Sequence, residues 1–345
     1  GNSGTLGRLI LGLLIHSKKK VKLVGDKSLS KRDFSRVTNP LKKFGASFKL
    51  NQKKLPVIID GTKNPKPIKY FENIGSAQCK SSIMLAALNT PGKTHLKAKK
   101  SRDHTELLFK YLKIPIKISK TKNFDFIDVI GKKKINSLNY KIPGDISSAA
   151  FFIVLTALTK NSNIIIKNVN INPSRIGVIY ILKKMNVNIL IKNRRTYKGE
   201  KIGDIYVKSS NSIKPINCPS KMNSSAIDEF LIIFLVAAKA KGVSYFKDIA
   251  ELNKKESPRL NLGSKILNNM GIKTKLKKNS IKIYGKPDLK IKKFIEIKDY
   301  LKDHRIFMMS VISALTFGGE WKIHNPDSIK TSFPSFLKIL KKITS

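Results

Sequence analysis

A two-part pattern recurs five times along this 345-residue chain and limits the folds open to it. In each copy a small polar cluster precedes an apolar helical stretch. A short turn and a β-prone stretch follow, and a second polar cluster, usually holding an Arg, precedes a second helical stretch. The first clusters read GNSGTLGR from Gly1, SAQCKS from Ser76, PGDISSA from Pro143, IDEF from Ile227 and DHRI from Asp303. The second clusters read SLSKRDFSR from Ser28, KSRDHTE from Lys100, NPSR from Asn172, KESPR from Lys255 and SIKTSFP from Ser328. Copies start about 70 to 85 residues apart, the mark of repeated supersecondary units. Helix N-termini present N–H groups without intrahelical partners and the positive end of the helix dipole, so they are ready anion sites. Ten such ends on one chain point to a cleft for anionic substrates.

Each copy reads in the same order. LGRLILGLLIHS is an apolar helix and KKVKLVG a strand, and SRVTNPLKKFG is an amphipathic helix closed by Gly45 with Pro40 inside it. SSIMLAALNTPGKTHLKA, AAFFIVLTALTKNSNIIIKNVNI, FLIIFLVAAKAKGVSYFKDIA and FMMSVISALTFGGEWKIHN each give helix, turn and strand. KINSLNYKIPG and NSIKIYGKP read as hairpin-like strands between copies. The class is α/β with mixed sheets, built from βαβαββ-like repeats. No low-complexity linker interrupts the chain. Pro143–Gly144 punctuates two copies, which predicts a first domain over 1–142 and a second over 143–345.

The chain carries 69 Lys plus Arg against 22 Asp plus Glu, a net charge of +47. Charge of that size suggests polyanions. Yet the lysines are scattered through every segment, and aromatic residues do not interleave with them as a base-stacking platform requires. A specific nucleic-acid partner is therefore not expected, while the field favours small anions. The longest apolar runs, such as FLIIFLVAA from Phe230, fall well short of a membrane span, so no membrane partner is expected. Cys79 and Cys218 form neither a disulfide framework nor a zinc spacing, which predicts a reducing, cytoplasmic setting. Gly1 is not an initiator methionine and stands inside a polar cluster. That predicts a fragment or processed chain, with room for a targeting segment upstream.

Arginine is used sparingly. Of nine, seven lie in the repeat clusters: Arg8, Arg32, Arg36, Arg102, Arg175, Arg259 and Arg305. Where Lys is so freely used, Arg persists where a planar two-pronged donor for carboxylate or phosphate is needed. An Arg in a first helical turn also opposes the dipole, a penalty that a bound anion relieves.

Taken in order, GNSGT with Arg8, GDKSL at Gly25, SAQCKS, SRDHTE, PGDISSAAF, IDEF, KESPRL, DHRI and SFP resemble the 5-enolpyruvylshikimate-3-phosphate synthase family across essentially the whole chain. Any one of these motifs is weak, but nine in order are specific. The resemblance implies a two-domain inside-out barrel of six βαβαββ units, with helix N-termini facing the interdomain cleft. Five units are present here. The family's first cluster, PGSKS with a following Arg, would lie upstream of Gly1. The implied reaction adds the 5-hydroxyl of shikimate 3-phosphate to phosphoenolpyruvate, protonates its methylene carbon, and then eliminates phosphate. Phosphoenolpyruvate supplies the activated group, so no organic cofactor and no metal is implied, and the expected assembly is a monomer.

The resemblance assigns roles residue by residue. Asp228 of IDEF matches the carboxylate at the 5-hydroxyl, a base or proton shuttle, with Glu229 the weaker candidate. Read without the resemblance, Asp228 is better explained as a helix N-cap or first-turn Asp. Glu256 matches the carboxyl that handles the methylene proton, and His304 stands where it can orient groups or exchange protons. Arg32, Arg259 and Arg305 match phosphoenolpyruvate clamps. Asn2 and Gly4 match backbone that approaches that ligand, where a missing Cβ helps. Ser76, Ala77, Gln78, Ser101, Arg102 and Lys255 match the shikimate 3-phosphate side together with Asp228, and Gln78 also reaches phosphoenolpyruvate. Four departures stand out: Asp33 follows Arg32 where Pro is common, Pro258 replaces an acid in KESPR, Asn253 replaces an Arg before KES, and Lys330 sits one residue early relative to the Lys of some members. Two alternatives are an anion-binding remnant without activity and an enolpyruvyl transferase acting on a UDP-sugar. The latter family uses a Cys in a mobile loop, which neither Cys79 nor Cys218 resembles.

Overall fold

The computed structural model describes residues 1–131 and 134–344. The chain divides into two compact units, Gly1–Tyr140 with Lys198–Glu200, and Lys141–Tyr197 with Lys201–Ser345. The first unit carries α1 (Gly4–Leu14), β1 (Val21–Leu23), α2 (Lys27–Ser30), α3 (Ser35–Lys42), β2 (Ser47–Asn51), β3 (Lys54–Asp60), β4 (Lys69–Glu72), α4 (Ala77–Ala87), β5 (Lys93–Lys99), α5 (His104–Tyr111), β6 (Ile116–Lys120) and β7 (Phe124–Ile130). The second carries α6 (Ile146–Leu158), β8 (Asn163–Asn170), α7 (Gly177–Lys184), β9 (Ile189–Tyr197), β10 (Glu200–Lys208), α8 (Asn223–Ala226), α9 (Phe230–Lys239), β11 (Val243–Phe246), α10 (Arg259–Asn269), β12 (Thr274–Lys277), β13 (Ser280–Tyr284), β14 (Phe294–Ile297), α11 (His304–Phe317), β15 (Glu320–Ile323) and α12 (Phe336–Thr344).

The sheets repeat one plan. In β4-β5-β7-β6 the first two strands are parallel across the α4 crossover, and the last strand inserts antiparallel between the second and third. The orders β1-β3-β2, β8-β10-β9 and β11-β13-β12 repeat the inserted last strand, and β14 with β15 repeats the parallel crossover over α11. Five copies of the repeat are therefore recognisable among the described residues, but only the copy from β4 to β7 is a full βαβαββ unit: the copies begun by α1, α6 and α9 have no first strand of their own, and the β14–β15 copy has no closing pair. One stretch that reads as a strand on sequence is not one. The segment 134–144 forms no strand, and its pairing shrinks to a single parallel bridge from Gly144 to Val169. Asn136, Ser137 and Asn139 interrupt any apolar alternation there, and Pro143 has no N–H for a ladder. A matching single bridge joins Asn217 to Tyr245 ahead of the next copy.

In the first unit α1 packs on α4 at very short range. Gly12 makes this possible, because a Cβ there would lie 2.2 Å from the Ser82 backbone oxygen. Ser82 Oγ returns a hydrogen bond to the Arg8 carbonyl at 3.0 Å. In the second unit α6, α9 and α11 pack on one another. Helices enclosed on all sides must be apolar all round rather than amphipathic, and α9 is buried at every position from Phe230 to Ala238. Ser310 and Ser313 are buried in α11 without penalty because each hydroxyl donates back to the carbonyl four residues earlier. Phe333 and Phe336 of the SFP segment pack against Phe152, and Phe336 also meets Phe151 edge-on. That segment is thus a staple of the core around α6.

Gly12→Ala should destabilise the first unit by about 1–3 kcal/mol, since backbone rather than a side chain must yield. Denaturant unfolding checks this, and an unchanged midpoint would show that α1 and α4 can separate freely.

Candidate functional site

The polar clusters are helix starts, and the side chains that cap them are now identifiable. Ser3 accepts from the Leu6 N–H, Ser76 from Cys79, Asp145 from Ser147 and Ser148, and Asp303 from Arg305. These bonds occupy part of the N–H capacity that the sequence alone leaves open for anions. IDEF differs: Ile227–Glu229 turns between α8 and α9, and neither Asp228 nor Glu229 caps α9. SIKTSFP also differs, with a 3-10 turn at Pro326–Ile329 and α12 starting only at Phe336.

In the first unit the starts of α1 and α4 are stitched side by side. Gln78 accepts from Arg8 Nη1 at 2.8 Å and donates to Thr5 Oγ1 at 2.9 Å. Arg8 is buried, lies over the Phe34 ring and donates through Nη2 to the Asp33 carbonyl. Gly4 adjoins both guanidinium groups, for a Cβ there would meet Arg32 Nη1 at 2.9 Å and Arg8 Nη1 at 3.4 Å. Gly4, Arg32, Arg8 and Gln78 therefore form one cationic cluster, with Asn2 two residues before Gly4 and Ser76–Ala77 opening α4. Ser101 and Arg102 lead into α5, and the Ser101 hydroxyl is buried without a hydrogen-bond partner among the described residues. Such a group has capacity for a ligand oxygen.

In the second unit the starts of α9, α10 and α11 supply one charged network. Its centre is Arg259, only 2% exposed. Its Nε bonds Asp303 Oδ2 at 2.8 Å and its Nη2 bonds Asp303 Oδ1 at 3.1 Å and Glu256 Oε2 at 2.5 Å. Its Nη1 lies 3.8 Å from Asp228 Oδ1, which also pairs with Lys255 Nζ at 3.1 Å. Arg305 donates to the Asp228 carbonyl at 2.8 Å, and Ser257 donates to Asp303 at 2.8 Å. Asp303, Glu256 and Asp228 are thus gathered by one buried guanidinium, with Lys255 and Arg305 joined to Asp228 and His304 next to Asp303 in the chain.

Burial acts on each ionisable group, and the neighbours decide the outcome. Burial pushes the Asp303 carboxyl up, but the charge and hydrogen bonds of Arg259, with His304 and Ser257, hold it below the usual range. Burial and the adjacent Arg305 push His304 down to about 4, against the opposing pull of Asp303. Burial lifts the Glu229 carboxyl despite Arg305, and the Asp228 charge adds to the lift. Glu229 accepts from Ser147, whose hydroxyl also receives Arg175 Nη2 at 2.7 Å.

The departures have local explanations. Asp33 turns its carboxylate to the Ser35 N–H and hydroxyl, each at 2.6 Å, and so starts α3. Pro258 stands at the cap position of α10, where its missing N–H costs nothing, and Asn253 Oδ1 accepts from the Leu260 N–H at 3.0 Å in its place. Lys330 pairs with Asp327 at 2.6 Å. Sequence reasoning passed over Asp303, Ser257, Ser147 and Thr5 as site members. Asp303 and Thr5 were visible only as parts of DHRI and GNSGT, and their partners lie 44 and 73 residues away. Burial pushes the Cys79 thiol up to about 12 and the Cys218 thiol to about 11, so neither is poised as a nucleophile.

Comparison with known proteins gives the family. The family model described as EPSP synthase (3-phosphoshikimate 1-carboxyvinyltransferase) matches residues 1–340. A 3-phosphoshikimate 1-carboxyvinyltransferase from Ruthia magnifica subsp. Calyptogena magnifica is 40% identical over 348 residues, covering 99% of this chain and 77% of the relative. One from Petrotoga mobilis is 38% identical over 348 residues, covering 100% and 79%. A solved EPSP synthase from Acinetobacter baumannii superposes with a TM-score of 0.88 at 36% identity, covering 99% of this chain and 78% of that one. The enolpyruvyl transferase NikO from Streptomyces tendae, at 13% identity and a TM-score of 0.72, shares the fold. The chain belongs to the EPSP synthase family.

Proposed function

We propose that this chain transfers the enolpyruvyl group of phosphoenolpyruvate to the 5-hydroxyl of shikimate 3-phosphate and releases phosphate, in the shikimate route to chorismate and the aromatic amino acids. The observation that carries this reading is the second-unit network, in which Asp228 and Glu256 flank the buried guanidinium of Arg259. Two carboxyls held apart by one cation suit a reaction that takes a proton from oxygen and gives one to carbon. Both cysteines are free and buried, which suits a cytoplasmic setting.

The chain's own residues then divide the work. Asp228, oriented by Lys255, accepts the proton of the 5-hydroxyl as its oxygen bonds to the enol carbon. Glu256 gives a proton to the methylene carbon. In the second half the carbon–oxygen bond to phosphate breaks, the departing phosphate takes the proton held on Asp228, and Glu256 recovers a proton from the new methyl group. Arg32 of the first unit and Arg305 of the second each offer a guanidinium suited to the phosphoenolpyruvate anion, since charge-assisted and bidentate bonds are the strong ones. Arg259 sets the positions of Asp228 and Glu256 and adds charge beside that anion. Gly4 leaves room next to Arg32. Ser76, Ala77, Gln78, Ser101 and Arg102 take shikimate 3-phosphate, with the buried Ser101 hydroxyl turned to one of its oxygens.

Phosphate release from phosphoenolpyruvate tests this reading, measured on protein expressed from its full reading frame so that any residues flanking this chain are included. Release is expected only with both substrates present. Asp228→Asn and Glu256→Gln should each slow turnover by about 10²–10⁴-fold. Folded protein that releases no phosphate with shikimate 3-phosphate, or releases it equally without, contradicts the assignment.

His304 is neutral at physiological pH on this account and orients groups rather than donating a proton. Its imidazole resonances should titrate near pH 4. Because its folded-state affinity for protons is depressed, the unfolded chain takes up the proton first as pH falls. The stability this represents is present above about 6.5 and lost as pH drops towards 4, on the order of 3 kcal/mol in total. His304→Gln should remove that part of the acid slope. An imidazole titrating near 6.5 would overturn this placement.

A further inference from the structure

Lys80 and Glu106 form an ion pair in the interior of the first unit, with Nζ to Oε1 at 2.5 Å and side chains 0% and 3% exposed. Removing both charges from water is costly, and well-packed apolar residues of similar size usually serve stability as well or better. Burial pushes the Glu106 carboxyl up, against the charge of Lys80, so desolvation is felt even with the partner in place. Such a pair makes sense where it fixes one arrangement among several, since an ion pair joins two points and apolar contacts can slide.

Its position shows what would be fixed. Lys80 lies in the first turn of α4, and its N–H closes onto the Ser76 carbonyl at 3.0 Å. Glu106 lies in the first turn of α5, where its charge also suits the dipole. Beside the pair, Ser81 Oγ and Thr105 Oγ1 join at 2.6 Å. The backbones of α4 and α5 otherwise share little direct contact. Two side-chain links therefore tie the start of α4, with Ser76, Ala77 and Gln78, to the start of α5, with Ser101 and Arg102. No role is assigned to Lys80 or Glu106 by the family resemblance drawn above.

We propose that Lys80 and Glu106 are positioning residues that hold the two shikimate 3-phosphate segments in register and so set affinity for that substrate without touching it. The substrate named here rests on the function proposed above. The pair has no part in proton transfer, so its loss should raise KM for shikimate 3-phosphate while kcat and KM for phosphoenolpyruvate stay near wild type.

The decisive variant is the double change Lys80→Met with Glu106→Leu, which replaces the pair with apolar groups of similar size. Lys80→Met alone leaves a buried uncompensated acid and serves only as a folding control. Glu106→Gln likewise strands the buried Lys80 ammonium and is a second folding control, so hydrogen exchange is measured beside the kinetics on the double variant. In the double variant, KM for shikimate 3-phosphate should rise about tenfold or more, the scale set by small misplacements in a binding site. Changes in kcat and in KM for phosphoenolpyruvate should stay within about threefold by the same reasoning on uniform binding. Amide hydrogen exchange over residues 76–82 and 101–107 should quicken about tenfold or more, while α1 remains protected. A folded variant with wild-type KM for shikimate 3-phosphate overturns the proposal. If the wild-type protein shows no turnover with this substrate, the functional reading fails, and hydrogen exchange alone decides: quickened exchange confined to the two segments supports the register role, and unchanged exchange rejects it.

Discussion

Arg259 is the constraint on which the second unit's chemistry depends. A guanidinium cannot shed its proton inside a protein, so burial forces it to gather acceptors. Asp303 meets it through two hydrogen bonds, Glu256 through a third, and Asp228 approaches its remaining nitrogen. Three carboxyl groups from three helix starts are thereby held within reach of one another. Without the cation they would repel, and a buried Asp303 would carry an uncompensated charge. The same residue that was matched to a substrate clamp on sequence is, in the folded protein, first an organiser of the acids around it.

The repeat architecture is what makes such gatherings possible. Each copy delivers helix starts from the end of a strand or turn, and several of those starts bring a side-chain cap. Ser3, Ser76, Asp145 and Asp303 satisfy backbone donors with their side chains. Side chains a few residues beyond, such as Arg8, Gln78 and Arg305, are then aimed by helices with buried apolar backs. Close approach completes the design. Gly12 lets α1 lie against the Ser82 backbone, and only at that distance can Thr5 and Arg8 reach Gln78. The same logic applies in the second unit, where Gly177 sits against Ser225 with no room for a Cβ.

What sequence could reveal followed from local physics. Helix starts were legible because a cap and an apolar run are neighbours in the chain, as in Asp145 before ISSAAFF. The five-fold repeat and the sparing use of Arg were legible for the same reason. Pairings across the chain were not. Nothing near Arg259 announces that its main partner is Asp303, 44 residues on, or that Lys80 meets Glu106. The segment 134–144 reads as a hairpin-like strand on sequence, whereas its Asn, Ser and Pro leave one bridge at Gly144. Asp33 and Asn253 looked like disturbances of a binding motif. Each proves to be spent on the backbone of the helix beside it.

The central claim is that Asp228 and Glu256, organised by Arg259, carry out addition and elimination by moving protons. The most direct test is to run the reaction in D2O and examine the enolpyruvyl product by mass spectrometry. Protonation of the methylene carbon followed by loss of a proton from the resulting methyl group must leave deuterium in the product's methylene. That result is predicted for the wild-type protein. A product formed at normal rate and free of deuterium would show that the methylene carbon is never protonated, and would contradict the account.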